Sequence, residues 1–270
     1  MTHRFMDKKR VALVTGVSRI NGIGKAICIE LAKQGIDIFF TYWRPYDKSM
    51  PWGIDDNEPA IIQDEISDLG VHCKHYEADL MNESSIELIF NKVKEYFGSV
   101  SILINNATYS TQTDIKSITS ENLDNHYMVN LKAPLLLTQK FVDRYDGNAH
   151  GRIINITSGQ SLSAMSNEIA YAVTKGGIET FTKTMQHELG FKNITINAVN
   201  PGLTDSGWIN SGWIDQKQTE IFRKRFPRGR FGLPADAAKL VGFLVNENAD
   251  WITGQIIHSE GGFIRESYEC

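Results

Sequence analysis

The sequence predicts an α/β protein built on one mainly parallel, doubly wound sheet. Three observations carry this. At least six short apolar runs alternate with helical patterns along the 270 residues. Several of these runs are continuously apolar and do not alternate with polar residues, as expected of strands covered on both faces. The first run feeds a glycine-rich loop that opens a helix, the arrangement that seats a phosphate in open α/β sheets. Composition is 41% hydrophobic and 22% charged, with no linker, so residues 1–270 are read as one domain. A formal charge of -4 lacks the basic footprint of a general nucleic-acid binder. The three cysteines, Cys28, Cys73 and Cys270, suggest neither a disulfide framework nor a thiolate metal site, and a reducing cytoplasm is expected. The polar start and the shortness of the apolar runs give no signal peptide and no membrane span.

Val11 to Val14 is the first strand. Thr15 and Gly16 open the loop, Gly22 and Gly24 close it, and Ile23, Ile27 and Leu31 recur at helical spacing toward Gly35, a helix-ending glycine. Ile36 to Tyr42 is the second strand, and Trp43, Arg44, Pro45 and Tyr46 after it include no carboxylate. Dinucleotide folds that prefer NAD place an Asp or Glu there for the ribose 2′-OH. Arg44, with Arg19 as a second candidate, suits a 2′-phosphate instead, because a guanidinium pairs bidentately with phosphate oxygens. The competing reading is a solvated Arg44.

Residues from Pro45 to Pro59 read as a long loop with three prolines, Trp52 and the pair Asp55-Asp56. A segment of that length is either functional or mobile. A helix from Ile61 to Leu69 and a strand from Val71 to Tyr76 lead to Asp79-Leu80. His72 and His75 fall on opposite strand faces and read as surface residues. The helix from Ser84 to Phe97 precedes the strand Ser101 to Ile104, which ends in Asn105-Asn106-Ala107. Leu123 to Tyr145 is a long helical pattern containing Asn130 and Pro134. The proline removes a backbone bond and kinks the helix, which would expose a carbonyl near Asn130.

From Gly151 an apolar strand (Ile153, Ile154, Ile156) runs into Thr157 and Ser158, and an amphipathic helix follows. Tyr171 and Lys175 on that helix are four residues apart, so both project from one face. A phenol beside an ammonium is an acid-base device, since the charge stabilises the phenolate and would lower a pKa that is otherwise about 10. Ser158 stands at the carboxyl end of a strand, where open α/β sheets place ligands. Ile194 to Val199 is the next strand, followed by Asn200-Pro201-Gly202-Leu203-Thr204-Asp205-Ser206. The repeat Ser206-Gly-Trp-Ile209 and Ser211-Gly-Trp-Ile214 reads either as a lid with aromatic contacts or as a loop tucked onto its own body. The cluster Arg223, Lys224, Arg225, Arg228, Arg230 is either a solvated helix end or a docking patch for an acidic partner. Phe243-Leu-Val and Thr253 to His258 supply the last helix and strand.

This ordered set resembles the short-chain dehydrogenase/reductase family, nearest to its 3-oxoacyl-acyl-carrier-protein reductases. The motifs are Thr15-Gly16 with Gly22-Ile23-Gly24, Asp79, Asn105-Asn106-Ala107, Asn130, Ser158, Tyr171 with Lys175, and Asn200-Pro201-Gly202, with Thr253-Gly254-Gln255 and Gly261-Gly262 near the end. The resemblance implies a seven-stranded Rossmann-like sheet with helices on both faces, and NADP(H)-dependent interconversion of a carbonyl and an alcohol. It implies Asn130, Ser158, Tyr171 and Lys175 as the catalytic set. For the cofactor it implies Gly16, Ser18, Arg19, Gly22, Ile23 and Gly24 at the pyrophosphate and Asp79 with Leu80 at the adenine. Asn105, Asn106 and Ala107 would lie along the ribose side, and Pro201, Gly202, Thr204 and Ser206 toward the nicotinamide, which Tyr171 and Lys175 also border. The expected partners are a small carbonyl or alcohol, carried on an acyl carrier if the nearest relatives are the guide, and further copies of the chain as a homodimer or homotetramer. Residues 203–230 would form the substrate loop. Three departures from the family pattern stand out: two extra residues in the glycine loop, Thr108 where glycine is usual, and the long Pro45 to Pro59 segment.

Overall fold

Val11–Val14 has no polar residue and therefore no wet face, and all four side chains are buried as strand β1. In the computed structural model, which describes residues 9–207 and 215–265, six further strands join it. These are β2 (Asp37–Tyr42), β3 (Cys73–Glu77), β4 (Ile102–Asn105), β5 (Gly151–Ile156), β6 (Ile194–Asn200) and β7 (Ile256–His258). They form one seven-stranded sheet in the order β3-β2-β1-β4-β5-β6-β7, and every pairing is parallel. The order reverses between β1 and β4, so a crevice opens at their carboxyl ends, the general ligand position of such sheets.

Strand pleating explains the two-sided core. Ala12, Val14, Ile38, Phe40, Ile102 and Ile104 face helices α1 (Ile23–Ala32), α3 (Glu58–Ser67) and α9 (Pro234–Val245). Their neighbours Leu13, Phe39, Leu103 and Ile153 face the other side, toward α4 (Glu83–Phe97), α6 (Ala133–Arg144) and α7 (Ile169–Gly190). The doubly wound Rossmann-like fold expected from the sequence is the one observed. Among the described residues no helix is long and apolar enough to cross a membrane.

Three expectations are corrected. The segment expected to be a loop begins with a short helix, α2 (Arg44–Lys48), and α3 starts at Glu58 instead of Ile61. Pro45 and Pro59 misled because each sits in a helix's first turn, where its missing N–H costs nothing. The pattern from Leu123 to Tyr145 is two helices, α5 (Ser120–Tyr127) and α6, joined by a π-helical turn over Met128–Lys132 that contains Asn130. His75 is not a free surface residue, because its ring lies 5.3 Å from Phe40 and 5.5 Å from Tyr42 on the neighbouring strand. The remaining helix, α8 (Gln216–Lys224), carries Arg223 and Lys224 of the basic cluster in its last turn. Within that cluster Arg223 pairs with Glu220 at 2.6 Å and Arg230 with Asp236 at 2.7 Å. The tryptophans of the sequence repeat lie outside the described residues.

Candidate active site

The glycine loop leaves β1 at Thr15, whose hydroxyl accepts from the N–H groups of Asn106 and Ala107 at 3.1 Å. Asn106 returns the contact, donating from Nδ2 to the carbonyls of Thr15 at 2.8 Å and Gly16 at 2.9 Å. Gly16 has φ of +72°, and a Cβ there would lie 2.5 Å from the Ala107 Cα. A Cβ on Gly24 would meet the Asn106 Nδ2 and the Gly16 carbonyl at 2.8 Å. Helix α1 begins at Gly22 with no side-chain cap and no acidic residue in its first turn, leaving its first N–H groups and its positive end free for an anion.

This loop forms one wall of a cavity of about 370 Å³. Gly16, Ser18, Arg19, Gly22, Ile23 and Gly24 line it on one side, and Asp79, Leu80, Asn106, Ala107 and Ser206 complete it. A narrow backbone approach, free helix N–H groups and a cavity lined by both Asp79 and Ser206 fit a dinucleotide. Five other candidates are not among the residues that line it. Asn105 turns its side chain into the sheet, donating to Asn155 Oδ1 at 2.8 Å, which corrects its expected place along the cofactor. Arg44 is not among the lining residues; its guanidinium is bonded to the Asp56 carboxylate and, at 3.2 Å, to the Asp56 carbonyl. Pro201, Gly202 and Thr204 form the turn after β6, where Thr204 Oγ1 donates to the Pro201 carbonyl at 2.9 Å.

Tyr171 and Lys175 project from the first turns of α7, and Ser158 follows β5. The Tyr171 hydroxyl lies beside Ser158, whose side chain pulls the phenol's pKa down. Lys175 is 3% exposed, its Nζ donates to the Ile156 carbonyl at 2.8 Å, and it lies 5.5 Å from the Tyr171 ring centroid. Tyr171 retains some exposed surface, yet its hydroxyl is enclosed. Burial pushes the phenol up to about 12, against the opposing pull of the Ser158 side chain, and burial pushes the Lys175 ammonium down to about 8. The expectation of a phenol lowered by the lysine is thus corrected. Desolvation is the largest cause of the shift, and the charge of Glu168 adds to it.

Asn130 is 1% exposed and spends its whole amide on structure. Nδ2 donates to the Tyr109 carbonyl at 2.8 Å and to Thr174 Oγ1 at 3.2 Å. Oδ1 accepts from the Tyr109 N–H at 2.7 Å and from Thr108 Oγ1 at 3.1 Å. Thr108, the residue standing where the family has glycine, therefore joins the loop after β4 to Asn130. Pro134 has no N–H, so no α-type bond reaches the Asn130 carbonyl. Sequence reasoning missed Thr174, and it missed Asp47 and Trp52, which lie in the cavity wall beside Arg19. Trp52 stood out in the sequence, but no local pattern names a partner 33 residues away.

A dinucleotide cradle at a sheet switch point, joined to a Ser-Tyr-Lys cluster, defines a Rossmann-fold oxidoreductase. The comparisons agree. A family described as "Enoyl-(Acyl carrier protein) reductase" matches residues 16–264. The uncharacterized oxidoreductase YjdA of Bacillus subtilis (strain 168) is 44% identical over 261 residues, 96% of this chain and 98% of its own length. A 3-oxoacyl-[acyl-carrier-protein] reductase, FabG of Aquifex aeolicus (strain VF5), is 32% identical over 256 residues, 94% of this chain and 96% of its own. Among solved structures, the angucycline C-6 ketoreductase LanV with bound NADP matches with a TM-score of 0.82 at 30% identity, covering 94% of this chain and 95% of LanV. The reductase LugOII, which catalyses keto-reduction in lugdunomycin biosynthesis, matches at 0.83 and 31% identity, covering 95% and 99%. The chain belongs to the short-chain dehydrogenase/reductase family.

Proposed function

We propose that this protein is an NADP(H)-dependent oxidoreductase that interconverts a carbonyl and an alcohol, with Tyr171 as the proton donor in reduction. The observation that carries this is the buried Lys175 5.5 Å from the Tyr171 ring on one helix face, at the end of the strand that leads to Ser158. The cofactor choice is supported by the NADP bound to LanV and by the absence of a carboxylate from Trp43 to Tyr46 after β2, the next one, Asp47, being engaged by Trp52 and Arg19. Gly16, Ser18, Gly22, Ile23 and Gly24 would hold the pyrophosphate, Asp79 and Leu80 the adenine, and Asn106 and Ala107 the nicotinamide half, with Pro201, Gly202 and Thr204 in the turn that leads to Ser206, which lines the cavity beside Arg19. Arg19 faces the cavity and is the better placed candidate for a 2′-phosphate than Arg44, which Asp56 occupies.

When bound, NADPH supplies a hydride to the substrate carbon. The chain supplies the rest. Ser158 donates a hydrogen bond to the carbonyl oxygen as it gains negative charge. The Tyr171 phenol, protonated across the neutral range, passes its proton to that oxygen. The Lys175 ammonium stabilises the phenolate left behind, and the Asn130 carbonyl, which Pro134 leaves without an α-type donor, would hold a water that returns a proton toward Lys175. Tyr171→Phe is expected to bind NADPH nearly as the wild type does, followed by cofactor fluorescence, while turnover falls at least about 10³-fold. Turnover within tenfold of wild type would remove Tyr171 from this role.

The substrate class follows the relatives only in outline. FabG supports a 3-oxoacyl thioester on an acyl carrier, while LanV and LugOII support a free ketone. A carbonyl panel assayed by NADPH consumption, including an acetoacetyl thioester, separates the two. Tight NADPH binding with no turnover on any member would favour a dinucleotide sensor instead. Residues 203–230 are proposed to set this selectivity. Self-association as a dimer or tetramer is proposed through α7, where Val173 is 68% exposed. A cytoplasmic location accords with the free, buried thiols of Cys28 and Cys73.

A further inference from the structure

The extra residues of the glycine loop and the long segment after β2 are one structural feature. Ile20, in the lengthened loop, donates its N–H to Glu58 Oε1 at 3.0 Å, at the far end of that segment. Pro45, Tyr46, Asp47, Ser49 and Trp52 of the segment line the cavity, and Tyr46 ties it to the loop after β4. Tyr46 Oη donates to the Ser110 carbonyl and accepts from the Ser110 N–H, both at 3.2 Å, and its ring lies 5.4 Å from that of Tyr109. Between these anchors lies Arg19. Its guanidinium carbon sits 4.2 Å from the centroid of the Trp52 ring, Nε is 3.6 Å from Asp47 Oδ1, and Nη1 donates to the Ser206 carbonyl at 2.7 Å. Asp47 is held in turn by Trp52, whose Nε1 donates to the same Oδ1 at 2.9 Å. Among the described residues Nη2 of Arg19 has no hydrogen-bond partner, and Arg19, Asp47 and Trp52 all line the cavity.

We propose that Trp52 and Asp47 are positioning residues for Arg19 and thereby set the preference for a phosphorylated over an unphosphorylated dinucleotide. The inference rests on the reading of this cavity as an NADP(H) site. A guanidinium is planar, so stacking on one aromatic face fixes its plane, and one carboxylate on Nε fixes its rotation within that plane. The Nη2 donors are then presented without the loss of side-chain freedom that a free arginine would suffer on binding a phosphate. A 2′-hydroxyl gains little from this cationic group, whereas a 2′-phosphate gains a charge-assisted hydrogen bond. The preorganisation therefore acts on one cofactor and not on the other.

The test is a pair of steady-state series, NADPH and NADH, on the full chain for the wild type, Trp52→Leu and Trp52→Phe. Trp52→Leu removes the stacking face and is expected to raise the KM for NADPH about tenfold, a factor at least about fivefold larger than its effect on the KM for NADH. Trp52→Phe restores a ring and is expected to recover most of the loss, although it lacks the N–H that holds Asp47. Equal changes for both cofactors would make Trp52 a structural cover and overturn the proposal, as would NADPH values that stay at wild type in Trp52→Leu. A circular-dichroism melt establishes that Trp52→Leu folds; where it does not, Trp52→Phe decides, since without the N–H to Asp47 it must still raise the KM for NADPH more than that for NADH. A wild type that uses NADH as well as NADPH would instead overturn the NADP(H) reading itself, and this proposal with it.

Discussion

At the scale of single residues, the two titrating groups of the site have moved in opposite directions for one reason. Burial disfavours charge, so it raises the phenol of Tyr171 to about 12 and lowers the ammonium of Lys175 to about 8. This gives reduction a simple pH dependence. Tyr171 keeps its proton throughout the range in which enzymes are assayed, so the acid itself is always loaded. Lys175 loses its charge as pH rises through about 8, and with it goes stabilisation of the phenolate. The kcat/KM for carbonyl reduction is therefore expected to be flat below pH about 8 and to fall above it. In Lys175→Arg the guanidinium stays charged, so the fall at that pH should vanish even if the plateau is lower. A pH-rate profile of both proteins checks this; a descending limb that is the same in wild type and Lys175→Arg would assign it to another group.

At the scale of elements, the π-helical turn between α5 and α6 does two jobs with one residue. The Asn130 side chain ties down the backbone of Tyr109 on both its N–H and its carbonyl, while Pro134 keeps an α-type donor from the Asn130 carbonyl. Single-turn π-bulges of this kind cluster at functional sites. Pro134→Ala would supply the missing N–H and allow a regular helix through Asn130. Its stability is expected to change by less than about 1 kcal/mol in urea denaturation, because a proline early in α6 is already tolerated. Its kcat is expected to fall several-fold as the carbonyl becomes engaged in the helix. An unchanged kcat would show that this carbonyl takes no part in proton return.

At the scale of the whole molecule, the parts legible in the sequence are those fixed by local pattern. The continuous run at Val11–Val14 and the run beginning at Ile194 became buried strands close to the boundaries read from them, and the four-residue spacing of Tyr171 and Lys175 survived as one face of α7. What could not be read was long-range. No sequence rule joins Arg19 to Asp47 and Trp52, or Asn130 to Tyr109, because these contacts depend on how loops at the carboxyl edge of the sheet fold over one another. The direction of the Tyr171 shift was misread for the same reason, since neighbours in sequence reveal a charge but not the enclosure around it. That enclosure also bears on the stability of the entire fold. In the unfolded chain Lys175 keeps its proton to pH about 10.5, while in the folded chain it holds it only to about 8. Between those values the unfolded state binds more protons, so this group makes stability rise with pH across that window, and below it the folded state carries the full penalty of a buried ammonium. A shift of that size corresponds to about 3 kcal/mol at neutral pH. Lys175→Met removes the charge, and loses a hydrogen bond to the Ile156 carbonyl that is worth about 1 kcal/mol. The variant is therefore expected to melt about 5 °C higher than wild type at pH 7, by calorimetry without cofactor, and to be catalytically dead. The gain should shrink as the pH is raised from about 8 toward 10, where wild type no longer carries the charge. A variant that melts lower at pH 7 would show that the ammonium is stabilised in the folded protein by more than the Ile156 carbonyl, and that the site does not weaken the fold in the way its burial implies.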